Sequence, residues 1–216
     1  GALRVGACLS FVPKFSPEAV AGALSAPSSV LYAVPTMYHR IADALAAGAS
    51  ALRTPFAQAR LLVSGSAALP AREHARIEAL TGQRVCERYG LSETLINTAV
   101  RADGERRPGY VGLPLAGVEL KLVDDARNPL DARDESIFGE VAVRGPNVFL
   151  GYLNKPEATA AVRDADGFFY TGDLGALASD GYLRIVGRKA TDIIKSGGFK
   201  IGAGEIEAAL LEHEGV

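Results

Sequence analysis

The sequence is poor in cysteine, has no tryptophan, and has no excess of charge of either sign. Its 216 residues include two cysteines and 23 basic against 25 acidic residues, which gives a formal net charge of −2. Cys8 and Cys86 are too few for a disulfide framework and lack metal-ligand spacing, so we expect a reducing, cytoplasmic environment. The balanced charge gives no electrostatic reason to expect nucleic acid or an anionic membrane as a partner.

Long apolar runs and targeting signals are lacking as well. No run approaches the roughly 20 residues needed to cross a bilayer, because serine, proline or charged residues interrupt each candidate. No basic stretch followed by an apolar one opens the chain, so no signal peptide is predicted. What is present is a hydrophobic fraction of 48%, which is enough to bury the core of one or two globular domains.

The first part of the chain reads as strands that alternate with helices. Apolar runs predict three buried strands, at residues 28–34, 60–64 and 83–87. Such alternation implies a mainly parallel sheet, in which ligands bind beyond the carboxyl ends of the strands. We therefore expect the turns near these ends to face one crevice. These turns are residues 35–40, 65–67 and 88–94.

From about residue 109 the pattern changes to short alternating segments separated by turn signals. They predict antiparallel strands within 111–123, 139–144 and 182–186, followed by a glycine-rich ribbon and a helix over 204–213 with Gly215 as its C-cap. The predicted fold is thus a parallel α/β layer (1–108), a small antiparallel β-barrel-like subdomain (109–187) and the beginning of a small α+β domain (188–216). We expect this last part to be incomplete, because one helix and a ribbon cannot bury a core alone.

Candidate chemistry lies first in the segment Arg88-Tyr89-Gly90-Leu91-Ser92-Glu93-Thr94. Ser92 can hydrogen-bond a phosphate, Glu93 offers the hard oxygen that Mg²⁺ prefers, and Tyr89 can stack on a base. The alternative is an ordinary turn with a Ser/Glu helix cap.

Two later segments are weaker signals when each is taken alone. Thr171-Gly172-Asp173 is either a turn or a carboxylate that binds ribose hydroxyls. The run from Gly187 to Gly198 is either a solvated linker or a hinge whose cations meet phosphates.

Together and in this order, the motifs resemble the adenylate-forming acyl-CoA synthetase superfamily over essentially the whole chain. The matching segments are VPTMYH (34–39), GSA (65–67), YGLSE (89–93, with serine for the usual threonine), GEVAVRGPNVFLGY (139–152), TGD (171–173) and the block from Gly187 to Glu207. That last block is one residue longer than the common pattern and lacks the usual proline before Glu205-Ile206-Glu207.

The resemblance implies that a carboxylate attacks the α-phosphate of MgATP, and that coenzyme A then takes the acyl group from the acyl-adenylate. It implies Glu93 for Mg²⁺, Ser92 for the α-phosphate, and His39 near the acyl group. It implies nucleotide contacts from Gly65, Ser66, Ala67, Glu87, Arg88, Tyr89 and Gly90, with Asp173 and Arg188 at the ribose. A pivot is expected between Lys189 and Asp192, with Lys195 and Gly198 on the hinge and coenzyme A side.

Two arginines indicate a dicarboxylate substrate. Arg40 and Arg88 both follow predicted strands, and an unpaired guanidinium in an acyl pocket is costly unless it meets a second carboxylate. The segments VPTMYHR and ERYGLSET resemble malonyl-CoA synthetases, which implies malonate or methylmalonate as the substrate. The alternatives are a solvated Arg40 and a structural salt bridge at Arg88.

Other functions remain open at this point. One alternative is an amino-acid- or other carboxylate-activating adenylation domain. Another is a non-catalytic nucleotide-binding module, because the phosphate loop before the first motif and the late catalytic lysine are not in the chain, so we expect the 216 residues alone to be inactive. A dinucleotide-binding Rossmann domain is disfavoured, since the glycine spacing around Gly65 does not match. His74 and His213 are predicted to be structural or solvated.

Overall fold

The computed structural model describes residues 2–24, 26, 28–131, 133–196, 199–211 and 213. Within these residues the chain forms two five-stranded sheets and a two-stranded hairpin. None of the described helices is long and apolar enough to cross a membrane.

The first sheet belongs to the α/β layer. Its strands are β1 (Val30–Ala33), β2 (Leu61–Ser64), β3 (Cys86–Tyr89), β4 (Thr98–Ala99) and β5 (Leu113–Pro114). They lie in chain order, with β1 to β3 parallel and β4 and β5 antiparallel. Its helices are α1 (Pro17–Ala23), α2 (Pro35–Ala46), α3 (Arg53–Gln58) and α4 (Ala71–Thr81), with 3-10 turns at Ala2–Val5 and Ser50–Leu52. The alternating pattern is therefore confirmed as a mainly parallel layer.

Helix α2 shows why this layer forms where the sequence predicts it. Pro35 stands at the first helical position, where its missing N–H has no helical partner. Tyr38, Ile41 and Leu45 follow at helical spacing and are buried against the sheet. The Tyr38 hydroxyl donates to the carbonyl of Val63 at 3.1 Å, and burial raises the pKa of this tyrosine. The helix is thus fixed to β2 by both apolar and polar contacts.

The third strand begins at Cys86 rather than at Gln83. Pairing with β2 starts where Cys86 faces Val63. The Gln83 side chain instead donates to the carbonyls of Ala57 and Ala59, at 2.9 and 3.0 Å. A polar side chain that satisfies loop carbonyls delays the strand, which the local apolar pattern does not reveal.

The second sheet is antiparallel and open. Its strands are β6 (Glu119–Val123), β7 (Pro129–Leu130), β8 (Gly139–Arg144), β9 (Phe169–Leu177) and β10 (Leu183–Arg188), with helix α5 (Pro156–Ala161) between β8 and β9. The order is β10-β9-β8-β6-β7, and no pairing joins β10 to β7 in the part of the chain that the structure describes. The expected barrel-like closure is therefore not found.

The reason lies at the edge of β10 that faces away from β9, where another segment pairs with the start of the strand. The N–H of Val111 donates to the carbonyl of Leu183 at 2.8 Å, and the N–H of Leu183 donates to the carbonyl of Gly112 at 3.0 Å. These bonds occupy both backbone groups of Leu183 at the start of β10, on the edge where barrel closure would have to begin. Because residues 110–112 lead directly into β5, they also join the two sheets.

The last described elements are a hairpin and a helix. The hairpin pairs β11 (Ile193–Ser196) with β12 (Phe199–Gly202), and helix α6 (Ala203–Leu211) follows at once. The helix begins one residue before the predicted start at Gly204, while the predicted cap Gly215 lies outside the described residues. The predicted boundary at 187/188 falls inside β10, and the division into three parts remains a prediction.

Candidate active site

A cleft of about 530 Å³ lies at the carboxyl ends of β2 and β3. It is lined by Gly65, Ser66, Arg88, Gly90, Leu91, Ser92, Glu93, Leu95, Ile96 and Arg188. The turns after β2 and β3 therefore do meet at one crevice, as the parallel strands predict. Residues 35–40 form the first half of helix α2 rather than a turn, and none of them is among this described lining.

The floor of the cleft depends on a close backbone approach at Gly90. A Cβ at this position would lie 1.7 Å from the carbonyl oxygen of Leu95, so only glycine fits. Leu95 itself adopts a positive φ of 55°, and Ser66 on the facing loop adopts 73°. Backbone strain of this kind is typical of loops that hold a ligand.

Ser92 and Glu93 present polar atoms to this cleft. The Ser92 side chain is exposed and has no hydrogen-bond partner among the described residues. Glu93 accepts a hydrogen bond from the Tyr152 hydroxyl on Oε1 at 3.1 Å, whereas no described group donates to Oε2. A carboxylate with one unused oxygen suits a Mg²⁺ ion that takes its other ligands from phosphates and water. The described residues contain no group of three or more histidine, cysteine or acidic side chains that could hold a metal without such help.

Asp173 joins the cleft to the second sheet. Its carboxylate accepts a 2.6 Å hydrogen bond from the Tyr89 hydroxyl and pairs with Arg188 Nε at 3.0 Å. Burial raises the pKa of Asp173, and the Tyr89 hydroxyl and the Arg188 guanidinium act in the opposite direction. Burial also raises the pKa of Tyr89. The structure thus brings together the two residues predicted to bind ribose, and it adds Tyr89 to them.

The tripeptide Thr171-Gly172-Asp173 is not a turn. It lies inside β9, where Gly172 adopts a φ of 74° and the pairing with neighbouring strands shifts register. The bulge turns the chain locally.

The two arginines predicted to bind a carboxylate lie in different places. Arg88 lines the cleft with its guanidinium 5.3 Å from the ring of Tyr32, and its buried Nε has no hydrogen-bond partner among the described residues. No described carboxylate forms a salt bridge with it. Arg40 is exposed and stacks 4.8 Å above the ring of Phe15. Its position on α2 directs it to the segment before α1 rather than to the cleft.

His39 likewise lies outside this cleft. Its ring nitrogens are 3.3 Å from Asp43 and 3.2 Å from Glu73, in a cluster of charges between α2 and α4 that also contains Arg76. These contacts hold the ring on the surface between two helices, and a role near the acyl group stays a prediction. His74 is buried and lies 3.0 Å from the carbonyl of Val85, as expected of a structural histidine.

Glu87 is buried beneath the cleft and does not line it. Its carboxylate accepts hydrogen bonds from the backbone N–H groups of Leu69 and Gly109, at 3.3 and 3.0 Å. Burial raises the pKa of Glu87 to about 7. The residue predicted to contact the nucleotide thus holds the loop of Gly65 to Ala67 against the segment before β5. Ala67 itself is not among the described lining residues.

The residues predicted to form the pivot are tied to the second sheet. Lys189 Nζ lies 3.0 Å from Glu140 and 3.1 Å from Asp125, and Lys189 N–H donates to the carbonyl of Gly172. Asp192 closes a turn by accepting a hydrogen bond from the N–H of Arg188 at 2.9 Å. Lys195 lies on β11, and Gly198 lies outside the described residues.

A second cleft, of about 400 Å³, lies beside β7 and β8. Its ionisable lining residues are Asp124, Asp125 and Glu140, all acidic. An acidic lining repels phosphate groups, so the cleft at Ser92 and Glu93 is the better nucleotide site.

Three residues of the site were missed by sequence reasoning: Tyr152, Glu140 and Leu95. Tyr152 and Glu140 stand within the quoted GE…GY motif, which could have indicated them. Leu95 has no comparable signal, because its positive φ arises from the close approach to Gly90.

Comparison with known proteins identifies a family for the chain. The family model described as AMP-binding enzyme matches residues 1–153. The chain belongs to this family. It is similar to a malonate–CoA ligase of Arabidopsis thaliana, 41% identical over 189 residues, and to a long-chain-fatty-acid–CoA ligase of Bacillus subtilis, 41% identical over 155 residues.

A solved structure of the family also resembles this one. It is a malonyl-CoA ligase ternary product complex with methylmalonyl-CoA and AMP bound, at 59% identity and a TM-score of 0.82 over 98% of this chain. The AMP-binding enzyme chain described here spans 45% of that structure's chain. The alignment with the plant enzyme includes 86% of this chain but only 30% of the plant enzyme. The alignment with the bacterial enzyme includes 71% of this chain and 27% of the bacterial enzyme.

Proposed function

We propose that the native protein is an acid–thiol ligase that forms malonyl-CoA or methylmalonyl-CoA from the dicarboxylate, ATP and coenzyme A. The observation that carries the proposal is Arg88, a cation in the same cleft as Ser92 and Glu93 whose buried Nε has no described partner. Burying such a group is costly unless an anion completes it. The similar enzymes named malonate–CoA and malonyl-CoA ligases support the same substrate.

The proposed reaction has two steps. One carboxylate oxygen of the substrate attacks the α-phosphorus of ATP, and pyrophosphate leaves with the electron pair of the broken P–O bond. The thiolate of coenzyme A then attacks the acyl carbon, and AMP leaves. The cleft supports this reaction because it combines hydroxyl, carboxylate and guanidinium groups at the ends of parallel strands.

Individual residues divide these tasks among themselves. Ser92 hydrogen-bonds the α-phosphate, and Asp173 with Arg188 binds the ribose. Gly65 and Ser66 lie along the base, where the absence of a Cβ at Gly65 leaves room beside Arg88. Glu93 holds Mg²⁺ through its unused oxygen, and the bound ion would neutralise phosphate charge.

Arg88 recognises the second carboxylate of the substrate. A guanidinium offers two parallel N–H donors to a carboxylate, and a fatty-acid chain offers no acceptor in return. Family membership alone does not decide the acid, since a similar relative is named for long-chain fatty acids. Arg40 contributes only if its side chain leaves the ring of Phe15.

Malonate-dependent exchange of pyrophosphate into ATP by the native protein tests this proposal. We expect Arg88→Ala to lower kcat/KM for malonate roughly ten- to hundredfold, the scale of a lost charge-assisted hydrogen bond, with a much smaller effect on AMP binding. Arg101→Ala is the control, because Arg101 is an exposed arginine paired with Asp103 on the surface. Arg40→Ala is measured in parallel.

Three other results would each contradict the proposal. Unchanged malonate parameters in both Arg40→Ala and Arg88→Ala would remove the dicarboxylate assignment. Exchange with amino acids but not malonate would identify an amino-acid-activating adenylation domain. AMP binding without exchange on any carboxylate would identify a non-catalytic nucleotide-binding module.

A further inference from the structure

Tyr152 touches the proposed metal ligand from a distant part of the chain. Its hydroxyl donates a 3.1 Å hydrogen bond to Glu93 Oε1, across 59 residues of sequence.

Tyr152 is itself held firmly. Its N–H donates to Thr159 Oγ1 at 2.9 Å, and that hydroxyl donates to the carbonyl of Lys155 at the start of α5. The ring packs edge-on against Phe149 with centroids 4.9 Å apart. These contacts fix both the backbone and the ring, so the hydroxyl reaches Glu93 in one orientation.

Residues 147–152 also bind the loop that carries Glu93. The N–H of Phe149 donates to the carbonyl of Glu93 at 2.7 Å, and the Asn147 amide donates to the carbonyl of Thr94 at 2.7 Å. Main chain and side chain of Glu93 are therefore both held by residues 147–152. With Oε1 occupied, Oε2 is the oxygen left to meet a cation.

We propose that Tyr152 is a positioning residue for Glu93, which orients the carboxylate toward the divalent cation of the nucleotide complex. This inference rests on the proposed function of Glu93. Partners behind a metal ligand set its orientation, and their loss weakens metal affinity without removing a ligand. Tyr152 touches neither the substrate nor the reacting atoms in this role.

Binding of Mn²⁺ in the presence of a non-hydrolysable ATP analogue, followed by electron paramagnetic resonance, tests the inference without turnover. In the native protein we expect Tyr152→Phe to weaken Mn²⁺ binding roughly tenfold or more, while affinity for AMP alone stays within about twofold. In a Glu93→Gln background the same substitution should have little further effect, because the carboxylate that it orients is gone.

Tyr110→Phe is the matched control. The Tyr110 hydroxyl donates to Glu135 Oε1 at 2.6 Å. The substitution therefore removes the same kind of tyrosine–glutamate hydrogen bond, but outside the cleft. The inference is wrong if Tyr152→Phe leaves Mn²⁺ affinity unchanged, if Tyr110→Phe weakens it equally, or if Tyr152→Phe weakens AMP binding as much as Mn²⁺ binding. Failure of the wild type in pyrophosphate exchange, in contrast, would overturn the proposed function itself.

Discussion

At the scale of single residues, Glu87 shows how burial changes the chemistry of a side chain. The residue is only 3% exposed, and its two partners are backbone N–H groups rather than a cation. Two hydrogen bonds lower its pKa less than burial raises it. The protonation state of Glu87, which bonds the loop beneath the cleft, therefore depends on pH near neutrality.

The free energy of unfolding should decrease as pH rises, because of Glu87. Its pKa is about 7 in the folded protein against an ordinary value of 4.5, so the folded state binds the proton more tightly. The stabilisation is complete below about pH 4.5 and is lost as pH rises through about 7, on the order of 3 kcal/mol in all. Urea unfolding at pH 5 and pH 8 should show a smaller pH effect in Glu87→Gln than in the wild type.

Glu119→Gln provides the comparison for this measurement. Glu119 is an exposed glutamate whose pKa is lowered by its hydrogen bond to Arg144, so it stays ionised across this pH range. The Glu119→Gln variant should therefore show the same decrease in the free energy of unfolding between pH 5 and pH 8 as the wild type. An equal decrease in wild type and Glu87→Gln would show that Glu87 is not the titrating group.

Gly90 is a residue where size alone decides the outcome. A methyl group would collide with the carbonyl of Leu95, so Gly90→Ala must displace the loop that carries Ser92 and Glu93. We expect AMP affinity to decrease more than tenfold, together with a lower melting temperature, measured by calorimetry and thermal unfolding. An unchanged AMP affinity would contradict the close approach seen here.

Gly22→Ala is the control for that substitution. Gly22 lies in α1, and a Cβ there meets no atom within 4 Å. Alanine is favoured over glycine in a helix by about 1 kcal/mol, so this variant should be neutral or slightly more stable.

At the scale of elements, the bulge in β9 is held by a closed set of bonds around Gly172. Its N–H donates to Glu140 Oε1 at 3.1 Å, and its carbonyl accepts from the N–H of Lys189 at 2.8 Å. Lys189 Nζ completes the set through Glu140 Oε2 at 3.0 Å. Strands β8 and β9 and the residue that follows β10 thereby fix the backbone that carries Asp173 and Arg188.

Breaking this set should loosen β9 and β10 locally. In Glu140→Ala the N–H of Gly172 and the Nζ of Lys189 lose a mostly buried, charged partner, worth roughly 1.5–3 kcal/mol. Hydrogen exchange followed by mass spectrometry should become faster in peptides covering 169–189. In Glu119→Ala, which breaks an exposed ion pair with Arg144 on the same sheet, exchange there should remain as in the wild type. Unchanged exchange in both variants would show that the bulge does not depend on Glu140.

At the scale of the whole molecule, the cleft lies at the seam between the two sheets. Tyr89 on β3 reaches Asp173 on β9, and Tyr152, which lies in the segment before α5, reaches Glu93. The segment 110–112 pairs with β10 and continues into β5, so it ties the sheets together along one edge. Neither sheet alone supplies all the polar groups of the site.

Much of the fold could be predicted from the sequence. The alternation of apolar runs placed β1 and β2 close to their observed bounds, and β8 at its observed bounds. The start of β3 was wrong because a side-chain contact of Gln83 overrides the local pattern. The barrel-like form of the second subdomain is not confirmed: the described strands show no closed barrel, and segment 110–112 pairs with the start of β10.

The candidate site divides in the same way. The motif residues Ser92, Glu93, Asp173 and Arg188 were predicted, because motifs report which side chains a reaction needs. The separation of Arg40 from Arg88 was not predicted, since Arg40 lies on helix α2 and Arg88 on strand β3, and a position near a strand end does not fix where a side chain points. The burial of Glu87 was likewise hidden, because it depends on loops on either side of β3.

By itself the sequence determined the alternation of elements and the identity of the chemical groups. These follow from local periodicity and residue type, which act over a few positions along the chain. Only the tertiary structure decided that Tyr152 reaches Glu93, that Tyr89 reaches Asp173 and that Arg88 lies in the cleft with its buried Nε unpaired. Such contacts depend on how two sheets meet, and that register is fixed by packing between residues far apart in sequence.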